Sequence, residues 1–306
     1  MWNQILEQAK QDLVSSQTLF DNHDYGNSAY LLQQGMEKHI KAFILKYDLF
    51  VRNPQKFGHL PIIKMWEVII LELERKQPSF KKDIKEFSEK IMVILKNILK
   101  YFIKIKEDSR WKEFVWKSSL ELTLNTSEQD LIKNFSTEMK KDFLPIISEA
   151  HNLFSSARDR LISVISGDPN QKILLENLVE KVMNTTLEFE MNQRHTMNGD
   201  MDDIIDKSPM WFEQLENLIK EIMLMSNRKN AIVSSYFMKV LLFAWLFSFR
   251  EEIIMTFPHE EIGRYPNMIS NSRQIYKDNK LNLEKFIQKV SQSCEKIDQM
   301  MDLEKN

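Results

Sequence analysis

The sequence predicts an all-α protein, an antiparallel helical bundle enlarged by an inserted helical subdomain. Three observations carry this prediction. The chain of 306 residues holds only 6 glycines and 8 prolines, too few to punctuate the frequent turns of a sheet-rich fold. Leu, Ile, Lys, Glu and Met dominate instead, residues that lose little conformational freedom in a helix. Apolar residues recur at steps of three and four over long stretches.

Composition narrows the function classes. With 43% hydrophobic residues, the chain can fill one large core or two modest ones. The formal net charge of -2 gives no whole-molecule attraction for a polyanion. Cys294 is the single cysteine, so neither an intrachain disulfide nor a cysteine zinc cluster is expected. It lies on the stripe Phe286, Val290, Cys294, Ile297 and reads as a small buried hydrophobe. Met1 to Asp12 has no basic stretch followed by an apolar run, so no signal peptide is expected. The most apolar segment, Val240 to Phe249, is half the roughly 20 residues a membrane-spanning helix needs. A cytoplasmic protein with no membrane partner is the expectation.

The elements follow in order. A first helix runs to about Asn22, with Ile5, Ala9, Leu13, Ser16 and Phe20 on one face. His23, Asp24 and Gly26 make a turn. A second helix carries Ala29, Leu32, Met36, Ile40, Phe43 and Tyr47, with Gln33, Gln34, Glu37, Lys38 and Lys41 opposite. The short connection predicts an antiparallel hairpin. Asn53-Pro54 and Phe57-Gly58 mark a loop, and a third helix covers about His59 to Arg75. Ser79 suits an N-cap after Pro78, opening a helix with the stripe Phe80, Ile84, Phe87, Ile91, Ile94, Ile98, Phe102 and Ile105. That stripe needs partner helices.

Helical patterns resume at about Glu128 to Ile165. Gly167-Asp168-Pro169-Asn170 is the clearest break, and another helix follows to about Glu190. Asn198-Gly199-Asp200 and Ser208-Pro209 bound an acidic loop region. Trp211 to Met225 is amphipathic, and Ser235 to Thr256 is apolar nearly all round, as in a central helix. Pro258, Gly263 and Pro266 predict a loop, and a last helix covers about Leu281 to Asp302.

The stretch Ala9 to Ile63 resembles the HEPN family. Asp12-Leu13, Leu19 and Asp24-Tyr25 come first. Gln33-Gln34, Glu37-Lys38 and Lys41-Ala42 form the densest part, and His59-Leu60 opens the third helix. Arg264-Tyr265-Pro266 resembles the family element before its last helix. The resemblance implies a discontinuous HEPN-like bundle of residues 1–75 and 235–306, with residues 76–234 as a helical insertion. A helix connection can lengthen this way at modest entropic cost.

What the resemblance implies chemically is engagement of nucleotide or RNA, in its sharpest form a metal-independent endoribonuclease of toxin or defence type. Such members use an Arg, a polar residue and a nearby His. His can move the 2′-hydroxyl or leaving-group proton, and Arg can stabilise charge on phosphate. Here Arg52, Asn53 and His59 fit that pattern, although Pro54 and Gly58 place it in a loop. A structural His59 at the start of the third helix is the competing reading. Lys38, Lys41, Lys96, Lys100, Lys104 and Arg264 are candidate contacts to nucleotide or RNA. Basic residues interleaved with Tyr101, Trp111 and Trp116 suit phosphate and base contacts, or else form the solvent face of a helix with inward aromatics.

No metal site or cofactor is expected. The acidic run Asp200, Asp202, Asp203 and Asp206 lacks the Gly and terminal Glu of an EF-hand. In His259-Glu260-Glu261, Gly263 stands where a zinc signature needs its second His. The resemblance implies a homodimer and leaves room for a protein partner such as an antitoxin. The alternative function is a non-catalytic helical scaffold or protein-interaction module.

Overall fold

The computed structural model describes residues 1–49, 62–76, 82–122, 126–131, 133–134, 137, 173, 176–177, 180, 184, 213–221, 223, 236–246, 249–264 and 272–303. Among these the regular structure is helical and contains no strand. The chain divides into two compact units. The first comprises residues 1–69, 98–137 and 249–301, the second residues 70–97, 138–248 and 302–306. No helix among the described residues is long and apolar enough to cross a membrane.

The first unit is built on a hairpin of α1 (Trp2–Asp21) and α2 (Tyr25–Lys46). The turn closes on His23, whose φ of 64° is left-handed. His23 N–H donates to the Phe20 carbonyl at 2.9 Å and Asp24 N–H to the Leu19 carbonyl at 2.8 Å. This is a Schellman closure, which usually places glycine at the left-handed residue. The same pattern ends α2 at Asp48 (φ 48°) and a later helix at Glu121 (φ 51°). A chain poor in glycine thus terminates three helices without it. Gly26, expected in the turn, instead lies inside α2.

Its burial makes α2 the axis of the unit. Ala29, Leu32, Met36, Ile40 and Phe43 are all buried, as the periodicity predicts. Each large apolar side chain withdrawn from water this way contributes about 1.5–3 kcal/mol before entropy is counted. Gln33, Glu37 and Lys41 on the opposite face are buried too, so that face lies between helices rather than in solvent. On α1 the buried set is Leu6, Ala9, Asp12 and Ser16. Ser16 donates to the Ser28 carbonyl at 2.8 Å, which satisfies a hydroxyl that would otherwise destabilise the interface.

The next helices are α3 (Ile62–Lys76), α4 (Lys82–Glu107) and α5 (Ser109–Ser119). Ser79 lies outside the described residues. Asp108 caps α5 by accepting from Arg110 N–H at 2.9 Å, as a carboxylate at a helix start should. The segment from Ser235 to Thr256 is not one helix. It gives α6 (Tyr236–Leu246) in the second unit and α7 (Arg250–Thr256) in the first. Pro258 stands in the turn between α7 and α8 (His259–Arg264), whereas Gly263 lies inside α8 rather than in a loop. Pro266 lies outside the described residues.

Two further helices, α9 (Ser272–Asp278) and α10 (Lys280–Asp302), complete the first unit. α2 packs against α1, α7, α8 and α9, and α5 packs against α7. Along α10, Leu283, Phe286, Val290, Cys294, Ile297 and Met301 are buried at helical steps. α10 runs beside α2 in the same direction. The Cys294 thiol meets the Met36 sulfur at 3.5 Å, and Tyr47 O–H donates to the Met300 carbonyl at 2.9 Å. Burial, with Asp298, Glu252 and Glu295 adding negative charge, holds the Cys294 thiol well above its ordinary range. That makes it the inert core residue its stripe predicts.

In the second unit, Leu215, Leu218 and Ile219 are buried, as are Leu241, Leu242, Phe243, Trp245 and Leu246 of α6. Trp245 donates its indole N–H to Glu216 at 3.1 Å. An indole buried on a nearly all-apolar helix thereby keeps its donor satisfied.

Candidate functional site

Three polar constructions lie in the first unit, and they differ in how fully their groups are paired. The first is the seam along α2. Gln33 donates to Glu37 at 2.9 Å, and Lys41 pairs with Glu37 at 2.5 Å. Lys112 of α5 pairs with Glu261 of α8. Burial raises the Glu260 carboxyl above its ordinary range. Glu37 and Glu261 push the same way, and Lys106 and Lys41 oppose them. The seam therefore balances acidic and basic groups where α2, α5 and α8 meet. Nearby, Lys38 pairs with Asp12 of α1 at 2.5 Å.

The second construction is a buried circuit. Trp116 of α5 donates its indole N–H to the Tyr276 hydroxyl of α9 at 2.8 Å. Tyr276 OH lies 2.7 Å from His259 Nδ1, and His259 Nε2 lies 2.8 Å from Ser119 Oγ. Ser119 in turn donates to the Trp116 carbonyl at 2.7 Å. Indole nitrogen only donates and a carbonyl only accepts, so the proton order is determined. Tyr276 donates to Nδ1, and His259 carries its proton on Nε2 and donates to Ser119. Burial lowers the His259 pKa to about 3, keeping the ring neutral. Burial also pushes the Tyr276 hydroxyl up, so it stays protonated. Every polar atom of the circuit has a partner within it, which makes it a structural lock across α5, α8 and α9. His259 rests on Phe286 of α10 with ring centroids 5.3 Å apart.

The third construction is open. A cleft of about 670 Å³ is lined by the α1–α2 turn, the end of α8, α9 and the start of α10. Its floor is the crossing of Gly26 and Gly263, where a Cβ on Gly26 would stand 3.2 Å from the Gly263 carbonyl oxygen. A Cβ on Gly263 would collide with the Gly26 carbonyl. Bare backbones are therefore required at this contact. Arg273, Lys277 and Lys280 line the walls and are exposed.

The residues singled out from sequence fall in different places. Arg52, Asn53 and His59 lie outside the described residues. Arg264 ends α8 directly after Gly263, and its side chain is likewise outside the described set. Lys96, Lys100 and Lys104 are exposed at four-residue steps on α4. Lys96 pairs with Glu74 at 2.5 Å, and Lys104 sits 4.4 Å from the centroid of the Trp111 ring. Tyr101, Trp111 and Trp116 are buried, so these aromatics face inward rather than offering stacking platforms.

Sequence reasoning missed the circuit and the cleft. Circuit partners lie up to 160 residues apart, beyond any local pattern. The cleft had a faint signal. Arg273 and Lys277 sit four apart with no carboxylate three or four residues from either, so neither has a helical ion-pair partner.

Residues 2–130 match the HEPN domain family. The match spans α1 to α5 and includes Arg52, Asn53 and His59. No curated protein and no solved structure matches the chain.

Proposed function

We propose that the protein engages nucleotide or RNA through phosphate contacts, and that Arg52, Asn53 and His59 form a metal-independent ribonuclease set of toxin or defence type. The observation that carries this reading is the HEPN match over residues 2–130, which contains all three residues. In the proposed reaction His59 moves the 2′-hydroxyl or leaving-group proton. Arg52 stabilises charge on the phosphate, and Asn53 helps hold it. The pattern calls for two copies facing each other, so the active form is a homodimer.

Lys38, Lys41, Lys96, Lys100, Lys104 and Arg264 are the proposed phosphate contacts. Among the described residues Lys100 and Lys104 have no carboxylate partner, so their charge is available to an RNA backbone. Lys38, Lys41 and Lys96 would first have to leave Asp12, Glu37 and Glu74. Residues 1–75 and 235–306 are proposed as one family bundle, supported by α2 packing on α7, α8 and α9. Residues 76–234 are the insertion, from which α5 returns to pack on α7.

The test is cleavage of labelled single-stranded RNA in EDTA by the full chain, Arg52→Ala and His59→Ala. Cleavage by the wild type alone is the expected result. Equal cleavage by all three would discard these residues. No cleavage by a folded, dimeric wild type would remove the enzyme.

A further inference from the structure

Several lysines of the first unit are already paired with carboxylates. Lys38, Lys41, Lys112 and Lys117 each pair with a carboxylate. The cleft at the Gly26–Gly263 crossing departs from this pattern. Arg273, Lys277 and Lys280 line it, and among the described residues none of the three forms an ion pair.

Carboxylates are present in the cleft, but neutral groups occupy them. Asp24 accepts from the Asn27 amide at 2.7 Å, and Asp278 accepts from the Gln274 amide at 2.7 Å. Three cations thus share a concave wall with two carboxylates already engaged by neutral amides. His23 adds to this wall. Its left-handed backbone projects the ring from the α1–α2 turn, and Nδ1 lies 3.0 Å from the Tyr25 hydroxyl. With that hydroxyl donating to Nδ1, Nε2 carries a proton and becomes one more donor.

We propose that this cleft binds the phosphate groups of a nucleotide, held by Arg273, Lys277 and Lys280. Such a wall presents many donors and matches a group rich in acceptor oxygens and negative charge. Arg273 supplies a planar fork for two phosphate oxygens, and the two lysines supply point charges. A cleft of about 670 Å³ is in the range that encloses a small ligand, whereas a polynucleotide needs an extended track. The choice of a nucleotide over another polyphosphate rests on the family reading proposed above.

Calorimetric titration of the full chain with inorganic tripolyphosphate, ATP and a short oligouridylate tests the proposal. The variants are Arg273→Ala/Lys277→Ala and, as a control, Lys296→Ala, an exposed lysine elsewhere on α10. Tripolyphosphate and ATP should compete for one site. Their affinity should fall about ten- to a hundredfold in the double variant and stay unchanged in Lys296→Ala. The proposal is overturned if the wild type binds neither, if the double variant binds as the wild type does, or if oligouridylate binds without competition from tripolyphosphate. RNA cleavage persisting without any ATP binding would sink the cleft alone. ATP binding that depends on Arg273 and Lys277, without RNA cleavage, would sink the ribonuclease alone.

Discussion

The two sides of α9 present opposite solutions to placing polar groups on one short helix. Tyr276 points inward, where its hydroxyl is locked between Trp116 and His259. Arg273 and Lys277, three residues before and one after, point outward into an open cleft. The inner side is dry and satisfied, so its polar groups specify one arrangement of α5, α8 and α9. The outer side is exposed and its cations form no ion pair among the described residues, so its groups hold their place at little cost and remain free to meet a ligand. The difference teaches that pairing, rather than polarity, separates structural from ligand-facing groups in this unit.

Breaking the inner side should have the largest effect. Trp116→Ala removes a fully buried indole and should cost about 3–5 kcal/mol. Tyr276→Phe keeps the ring but leaves the Trp116 N–H and His259 Nδ1 without their shared partner. Its expected cost is about 1–3 kcal/mol. Urea denaturation followed by far-ultraviolet circular dichroism measures both. A Tyr276→Phe variant as stable as the wild type would show that the circuit does not lock these helices.

The same contrast explains what was legible in the sequence. The hairpin of α1 and α2 and the stripe of α10 were readable because their apolar residues repeat at helical steps and meet neighbours on that same face. The break between α6 and α7 was not, because an all-apolar run carries no punctuation. Gly263 was misread as a loop residue. Local rules treat glycine as a breaker, whereas Gly263 is there because Gly26 crosses it from another helix. His259 attracted notice only through the adjacent glutamates and a zinc pattern it fails. Its partners Trp116, Ser119 and Tyr276 belong to other helices and leave no local trace. Of the candidate site, the resemblance to the HEPN family was legible through the Gln33-to-Ala42 element, whereas the cleft depended on a turn, a crossing and two later helices coming together.

Acid sharpens the comparison by acting on the inner side first. The folded protein holds His259 at a pKa of about 3, against an ordinary value of 6.5. Below 6.5 the unfolded ring takes up a proton that the folded ring refuses. Stability is therefore complete above that pH and falls as the pH drops toward 3, by up to about 1.4 kcal/mol per unit. Glu260 works in the other direction. Its raised pKa means the folded state takes up a proton before the unfolded state, which favours folding as the solution turns acid. Urea midpoints across this range should show a shallower acid loss in His259→Gln than in the wild type. Identical slopes would mean that His259 is not held neutral.

The outer side should yield the smallest effect on stability. Arg273 and Lys277 are exposed and form no ion pair among the described residues, so Arg273→Ala/Lys277→Ala breaks no bond. Removing two neighbouring positive charges also relieves their repulsion at i and i+4. Helix propensity favours alanine at both positions, by a few tenths of a kcal/mol at most. The expected change in the urea midpoint corresponds to less than about 0.5 kcal/mol, with a small gain in stability as the favoured sign. A loss above about 1 kcal/mol would place these side chains in the same structural class as Tyr276, and the two sides of α9 would no longer differ in kind. A neutral or stabilising result would instead leave two cations whose presence the fold does not require, which is the pattern expected of groups kept for binding.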